Sequence, residues 1–239
     1  MKLRICVPLP AEKFSSLIHM IQRAEDAGAD LVEVRLDYLR SGASDVRDEF
    51  GKVVKQASVP LIATNRQYAQ GGFCPQDERQ RVQTLIDAAE AGFRYVDVET
   101  TTAELKTTIK SLRDRGSDPI VSYHNFECTP KISEMRKITR TQIEAGAEIC
   151  KLVTTANDIE DNVRCLLLTQ RASKSTKIVC FAMGRLGGLS RAFSPLFGAY
   201  FTFASLESGL KTASGQTSIA KLRSIYSKLG IGNEDFRQD

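Results

Sequence analysis

One pattern in the sequence returns three times: AGADLVEV at 27–34, AGFRYVDV at 91–98 and AGAEICKL at 145–152. Each copy leaves an amphipathic stretch through a glycine and enters a run of β-branched and apolar residues. Before the first copy, Phe14, Leu17, Ile18, Ile21 and Ala24 recur at the spacing of a helix packed on a core. Val82, Leu85, Ile86 and Ala89 do the same before the second. Gly28, Gly92 and Gly146 stand where a helix ends most easily on a left-handed residue.

The copies are far enough apart for a second strand-plus-helix unit in each interval, and VPLIAT at 59–64 and PIVSYH at 119–124 supply the strands. LRICVPL opens the chain, and KIVCFAM at 177–183 and AYFTFAS at 199–205 follow the last copy. Helical spacing returns at Val163, Leu166, Leu167 and Gln170, and at Ile219, Leu222, Tyr226 and Leu229. Eight strands, near residues 3, 31, 60, 94, 119, 148, 177 and 200, thus alternate with helices. This predicts a (β/α)8 TIM barrel occupying 1–239 as one domain, with a doubly wound open sheet as the alternative. The polar end of the chain, 230–239, reads as a mobile tail.

Composition narrows the function classes. The 33 basic and 29 acidic residues are dispersed instead of forming a basic tract, so nothing favours nucleic-acid binding. The six cysteines form no CxxC pair and several lie in apolar runs, as small buried thiols of a reducing compartment do. No apolar run reaches the ~18 residues of a membrane span, and the apolar run within MKLRICVPLP is too short for a signal peptide. A soluble cytoplasmic protein is the expectation.

Side chains alternate across a strand, so parity tells which residues share a face. Glu33, Arg35 and Asp37 share one face of the second strand; Ile62, Thr64 and Arg66 agree in the third. Tyr95, Asp97 and Glu99 agree in the fourth, Ser122 and His124 in the fifth, and Ile149, Lys151 and Val153 in the sixth. Each strand keeps one apolar face while the other turns polar toward its C-terminal end, where a barrel has its active site. Glu33, Arg35, Arg66, His124 and Lys151 would converge there. Plainer readings stand beside this one. Glu33 and Arg35 can form a structural ion pair, Asp97 and Glu99 read as solvated or structural carboxylates, and His19 reads as structural.

Lys151 raises the sharpest question, because a buried lysine must be paired or neutral. A neutral strand lysine in a barrel mouth is a Schiff-base nucleophile; a charged one paired with Glu33 or Glu99 is the alternative. Two later loops, MGRLGGLSR at 183–191 and KTASGQTS at 211–218, are rich in small residues. Such loops hold a phosphate in many barrels, and Arg191 could instead grip a carboxylate.

With these residues assembled, the chain resembles type I 3-dehydroquinate dehydratase. The elements that carry the resemblance are LVEVRLDYL at 31–39, TNRQYAQGG at 64–72, SYHNF at 122–126, CKLVTTANDIED at 150–161, AMGRLGGLSRAFSPLFGAYFTF at 182–203 and TASGQ at 212–216. The resemblance implies a barrel that dehydrates 3-dehydroquinate to 3-dehydroshikimate. In it Lys151 matches the imine-forming lysine and His124 the general acid and base. Glu33, Arg35 and Arg66 match substrate contacts, and Arg191 the arginine that holds the substrate carboxylate. Thr212 and Gln216 match hydroxyl and amide positions on a loop that closes over the substrate. It implies neither a metal nor an organic cofactor, and it leaves a homodimer open.

Two positions depart from the better-known bacterial members: Thr212 replaces a serine, and Gln70 replaces a glutamate that orients the catalytic histidine. Gln70 cannot stabilise an imidazolium by charge, so His124 is expected to be less basic unless Glu99 or another carboxylate substitutes. A class I aldolase also uses a barrel lysine, and a silent sensor of quinate-like acids would tolerate Gln70. The spacing from SYHNF to Lys151, with Arg191 and Gln216, favours the dehydratase over the first; the presence of both His124 and Lys151 argues against the second.

Overall fold

A computed structural model describes residues 3–40, 46–207 and 215–231. Within them eight parallel strands alternate with eight helices in chain order. The strands are β1 (Ile5–Leu9), β2 (Leu31–Arg35), β3 (Leu61–Thr64), β4 (Tyr95–Glu99), β5 (Asp118–His124), β6 (Ile149–Thr155), β7 (Lys177–Met183) and β8 (Thr202–Phe203). Their spatial order, β7-β6-β5-β4-β3-β2-β1-β8, never reverses, which rules out the doubly wound sheet with its switch point. At the seam the Tyr200 N–H donates to the Ile178 carbonyl at 2.7 Å, so the sheet is a nearly closed (β/α)8 barrel. The eight strands predicted from the repeat are all present.

The helices are α1 (Phe14–Asp26), α2 (Val46–Gln56), α3 (Glu78–Glu90), α4 (Leu105–Asp114), α5 (Ile132–Ala145), α6 (Glu160–Ala172), α7 (Gly188–Phe193) and α8 (Ile219–Lys228). Gly28, Gly92 and Gly146 have φ of +85°, +102° and +99°, the left-handed backbone that ends a helix and turns it into the next strand. Among the described residues no helix is long and apolar enough to cross a membrane.

Three details depart from the sequence reading. On α6 the buried face runs through Cys165, Leu166, Leu168 and Thr169, while Val163 is exposed. The helix is turned because the Asn162 amide is drawn inward, donating to the Leu186 carbonyl and accepting from the Ser190 N–H. On α8, Leu229 lies past the last turn and is exposed. The alternation of β2 stops at Arg35, since residues 36–38 wind into a 3-10 turn that brings Asp37 back toward Arg35.

Apolar side chains form two shells. Inside the barrel, Leu31, Ile62, Tyr95, Ile120, Ile149 and Phe201 fill the lower end and leave the upper end to polar groups. Outside it, the opposite strand faces pack under the helices. Phe50 belongs to this outer shell, with its ring edge-on to Phe14 at 5.8 Å and to Phe93 at 5.6 Å, and it is fully buried. Phe50→Ala is expected to cost about 3–5 kcal/mol of unfolding free energy in urea titrations, and a loss below ~1 kcal/mol would contradict this packing.

Candidate active site

Lys151 projects from β6 into the upper half of the barrel and is 4% exposed, too little for water to solvate its ammonium. Its Nζ donates to Asp97 Oδ2 at 2.8 Å and to Glu33 Oε1 at 3.3 Å, and lies 4.6 Å from the centre of the Phe203 ring. Glu33 also accepts from the Thr64 hydroxyl at 2.8 Å. The resting lysine is therefore an ion-paired one, held by Glu33 as expected but chiefly by Asp97. Glu99, the other partner considered, does not reach it. Nor do Glu33 and Arg35 pair: Arg35 forms a two-point bridge to Asp37 at 2.8 and 2.7 Å.

The charges continue from the lysine as one buried chain. Asp97 accepts from Arg66 at 2.9 Å and from the Ser122 hydroxyl at 2.6 Å. Arg66 also reaches Glu99 at 2.9 Å, and the second Glu99 oxygen accepts from Arg81 at 2.9 Å. Burial works against the charge of Asp97, yet Arg66 and then Lys151 hold its pKa well below the usual carboxylate range. Burial likewise opposes the charge of Arg66, and Asp97 and Glu99 override it and raise its pKa. Asp97 and Glu99 are thus buried, ion-paired carboxylates and not solvated ones.

His124 ends β5, and the parallel register sets it beside Val153, two residues above Lys151 on the neighbouring strand. Its ring lies nearly parallel to that of Phe126, with centres 6.1 Å apart. The residue as a whole is only partly buried, but its Nδ1 is sealed from solvent and has no hydrogen-bond partner among the described residues. Burial pushes its pKa well below the ordinary value; Arg66 and Lys151 add to this, and Asp97 offsets part of it. The imidazole is consequently neutral near pH 7 and able to accept a proton.

Glu33, Arg35, Arg66, Gln70, His124, Lys151, Arg191 and Gln216 all line one cavity of about 380 Å³. Arg191 stands on α7 over the Phe181 ring at 4.4 Å, and burial lowers its pKa to about 10. Gly187 lets α7 begin that close to β7, because a Cβ there would fall 2.4 Å from the Ala182 carbonyl oxygen. Glu99 does not line the cavity; it is taken up by its two arginines and makes no hydrogen bond to His124. It is therefore no substitute for a carboxylate at Gln70. His19 is exposed on α1. Thr212 and residues 232–239 lie outside the described residues.

Two contributors were not recognised in the sequence. Asp97 sat on the correct face of its strand, and the need of Lys151 for a counter-ion was the signal that could have raised it above Glu99. Arg81 gave no signal: it reads as one charge on an amphipathic helix, yet it is 1% exposed. The Asp77 carboxylate caps the N-terminus of α3 by accepting from the Arg79 and Gln80 N–H groups. From the first turn Arg81 then reaches Glu99, Glu78, the Asn65 carbonyl and the Thr102 hydroxyl.

Known proteins resemble this chain in sequence and in fold. A sequence-family model of type I 3-dehydroquinases matches residues 5–233. A 3-dehydroquinate dehydratase of Dehalococcoides mccartyi is 36% identical over 206 residues, covering 86% of this chain and 89% of that one. A bifunctional 3-dehydroquinate dehydratase/shikimate dehydrogenase of Arabidopsis thaliana is 33% identical across 95% of this chain, which spans 37% of that protein's length. The crystal structure of a 3-dehydroquinate dehydratase from Geobacillus kaustophilus superposes with a TM-score of 0.89, at 25% identity, over 96% of this chain and 92% of that one.

Arg81→Leu is expected to destabilise the fold by about 3 kcal/mol in urea unfolding, because it leaves one oxygen of a buried carboxylate without its cation. A loss within the ~0.5 kcal/mol typical of surface changes would show that the back of the charge chain carries no weight.

Proposed function

This chain belongs to the type I 3-dehydroquinase family, and from that premise we propose that it dehydrates 3-dehydroquinate to 3-dehydroshikimate, a step of the shikimate pathway, through an imine on Lys151. The observation that carries the reading is the pairing of a buried lysine with a neutral histidine at one barrel mouth.

The lysine nitrogen passes a proton to His124 and attacks the C3 ketone; the carbinolamine hydroxyl takes that proton back and leaves as water, which gives the iminium and returns His124 to its neutral form. The iminium withdraws electrons from the neighbouring C2–H bond. His124 takes that proton, and the bonding pair enters the ring as an enamine. The enamine then expels the C1 hydroxyl, which accepts the proton back from His124 and leaves as water. A second water hydrolyses the product iminium and restores the free lysine. One residue serves as base and then acid because its pKa lies below neutrality and its conjugate acid is strong.

The polar rim supports the orientation this chemistry needs. Arg191 holds the substrate carboxylate by its planar fork. Glu33 accepts hydrogen bonds from ring hydroxyls, and Arg35, Arg66 and Gln216 complete the polar lining. Thr212 enters on the family resemblance alone. The amine itself supplies the electron sink, so the route calls on no metal or organic cofactor.

The test is to incubate the protein with 3-dehydroquinate and borohydride and to map the adduct by peptide mass spectrometry. The adduct should fall on Lys151, and Lys151→Ala should lose dehydration by at least 10³-fold, on the order of other nucleophile deletions. No modification of Lys151, or unimpaired dehydration by the alanine variant, sinks the reading.

The second expectation concerns pH. A histidine whose pKa is lowered stays a base below its usual range, so kcat/KM should remain flat as pH falls through the ordinary value of ~6.5. A profile that halves at or above that pH would contradict His124 as the base.

A further inference from the structure

Two buried carboxylates, Glu33 and Asp97, close on the single ammonium of Lys151, more negative charge than it needs. Its nitrogen contacts Glu33 from β2 and Asp97 from β4; Arg35 from β2 and Arg66 from the loop after β3 share the cavity, and Glu99 from β4 is joined to them through Arg66. His124 from β5, Arg191 from α7 and the Cys6 thiol from β1 complete the ionisable surroundings; burial pushes that thiol up, so it is uncharged. Arg35 is satisfied by Asp37, and on the route proposed above Arg191 answers the substrate carboxylate, so neither alters the balance once substrate is bound. Glu33, Asp97 and Glu99 then confront Lys151, Arg66 and Arg81, and Arg81 divides its charge with Glu78.

The balance closes only while the lysine nitrogen is cationic. A neutral imine there would strand a buried carboxylate, and Asp97 is the one placed to feel it: its side chain is fully buried, 2.8 Å from Nζ, with its oxygens fixed by Arg66 and Ser122. Burial lowers the dielectric and strengthens the Asp97 to nitrogen attraction. We infer that Asp97 is a catalytic residue of this site, whose carboxylate keeps the Lys151 imine in its protonated iminium form. The proton stays on the imine nitrogen, no further bond forms or breaks, and the iminium remains the acceptor of the C2–H electron pair. This inference rests on the imine route proposed above.

Two hydride reagents test it. Cyanoborohydride reduces the protonated iminium in preference to the neutral imine, whereas borohydride reports the total adduct; both are scored on the Lys151 peptide across a pH series. In Asp97→Asn, folded by circular dichroism, the cyanoborohydride-to-borohydride ratio should fall by half about one pH unit or more below the wild-type midpoint. The turnover rate should drop by about 10²-fold or more, and Asp97→Glu should recover part of the midpoint.

A folded Asp97→Asn protein with the wild-type midpoint overturns the inference, because a merely structural carboxylate would alter yield and not protonation. Should Asp97→Asn fail to fold, the wild-type protein decides. A ketone analogue lacking the C1 hydroxyl and labelled with 13C at the carbonyl should show an iminium carbon shift at pH 8, and a neutral-imine shift there refutes the role. If the wild-type protein gives no Lys151 adduct at all, it is the imine route that fails and not the assignment of Asp97 within it.

Discussion

A lysine inside a barrel imposes a debt of charge that the surrounding strands must settle. An ammonium without water or a counter-ion is unstable by several kcal/mol, so once Lys151 is placed on the inward face of β6, carboxylates must be within reach. Asp97 and Glu33 provide them from β4 and β2, two and four strands away around the barrel. Those carboxylates outnumber the lysine, which obliges Arg66 and, behind it, Arg81 to enter. The chain of pairs therefore links β2, the loop after β3, β4, β6 and α3, and any shift of strand register would break several charge contacts at once. Register in this barrel is fixed as much by polar pairing in its upper half as by packing in its lower half.

Backbone geometry makes that pairing possible. Arg66 comes from a loop that must leave β3 and still aim inward. Asn65 locks the loop through a reciprocal amide pair with Gln76, at 3.1 and 2.9 Å. The Gln67 N–H donates to Glu99, and the Phe73 N–H to Asp37. At Gly72 the chain passes so close to itself that a Cβ would lie 2.1 Å from the Arg66 carbonyl oxygen, so no larger residue fits without moving the loop. Gly187 performs the same service for Arg191 on the opposite rim.

Much of this was legible because two periodicities were enough. The helix spacing followed by a glycine located α1 and α3, and the two-residue alternation sorted Glu33, Arg66, His124 and Lys151 onto the inward face. Parity names a face, however, and not a partner. It could not say that Arg35 would curl onto Asp37, because the 3-10 turn after β2 interrupts the alternation it relies on. It could not choose between Asp97 and Glu99 as partner of the lysine, since both share the face and their heights in the barrel depend on inter-strand stagger. On α6 the apolar spacing through Val163 and Gln170 competed with a better-buried face, and the polar Asn162 settled the rotation by hydrogen bonding. Buried polar groups chosen by tertiary contacts are where local pattern loses its authority.

The tuning of His124 follows from the same cluster. Gln70 brings no charge to the imidazole, and Glu99 is occupied by its arginines, so among the described residues no carboxylate hydrogen-bonds the ring. Its basicity is set by burial and by charges at a distance: Arg66 and Lys151 lower it, while Asp97 raises it. Of these, only Lys151 changes charge along an imine route. While its nitrogen is cationic, the histidine is held as a weak base with a strong conjugate acid, which favours returning the proton to a leaving hydroxyl. When hydrolysis passes through a neutral amine, that restraint is lifted and the imidazole regains affinity for a proton. Lysine and histidine need no direct contact for this, since a shared low-dielectric cavity transmits the change by Coulomb's law alone.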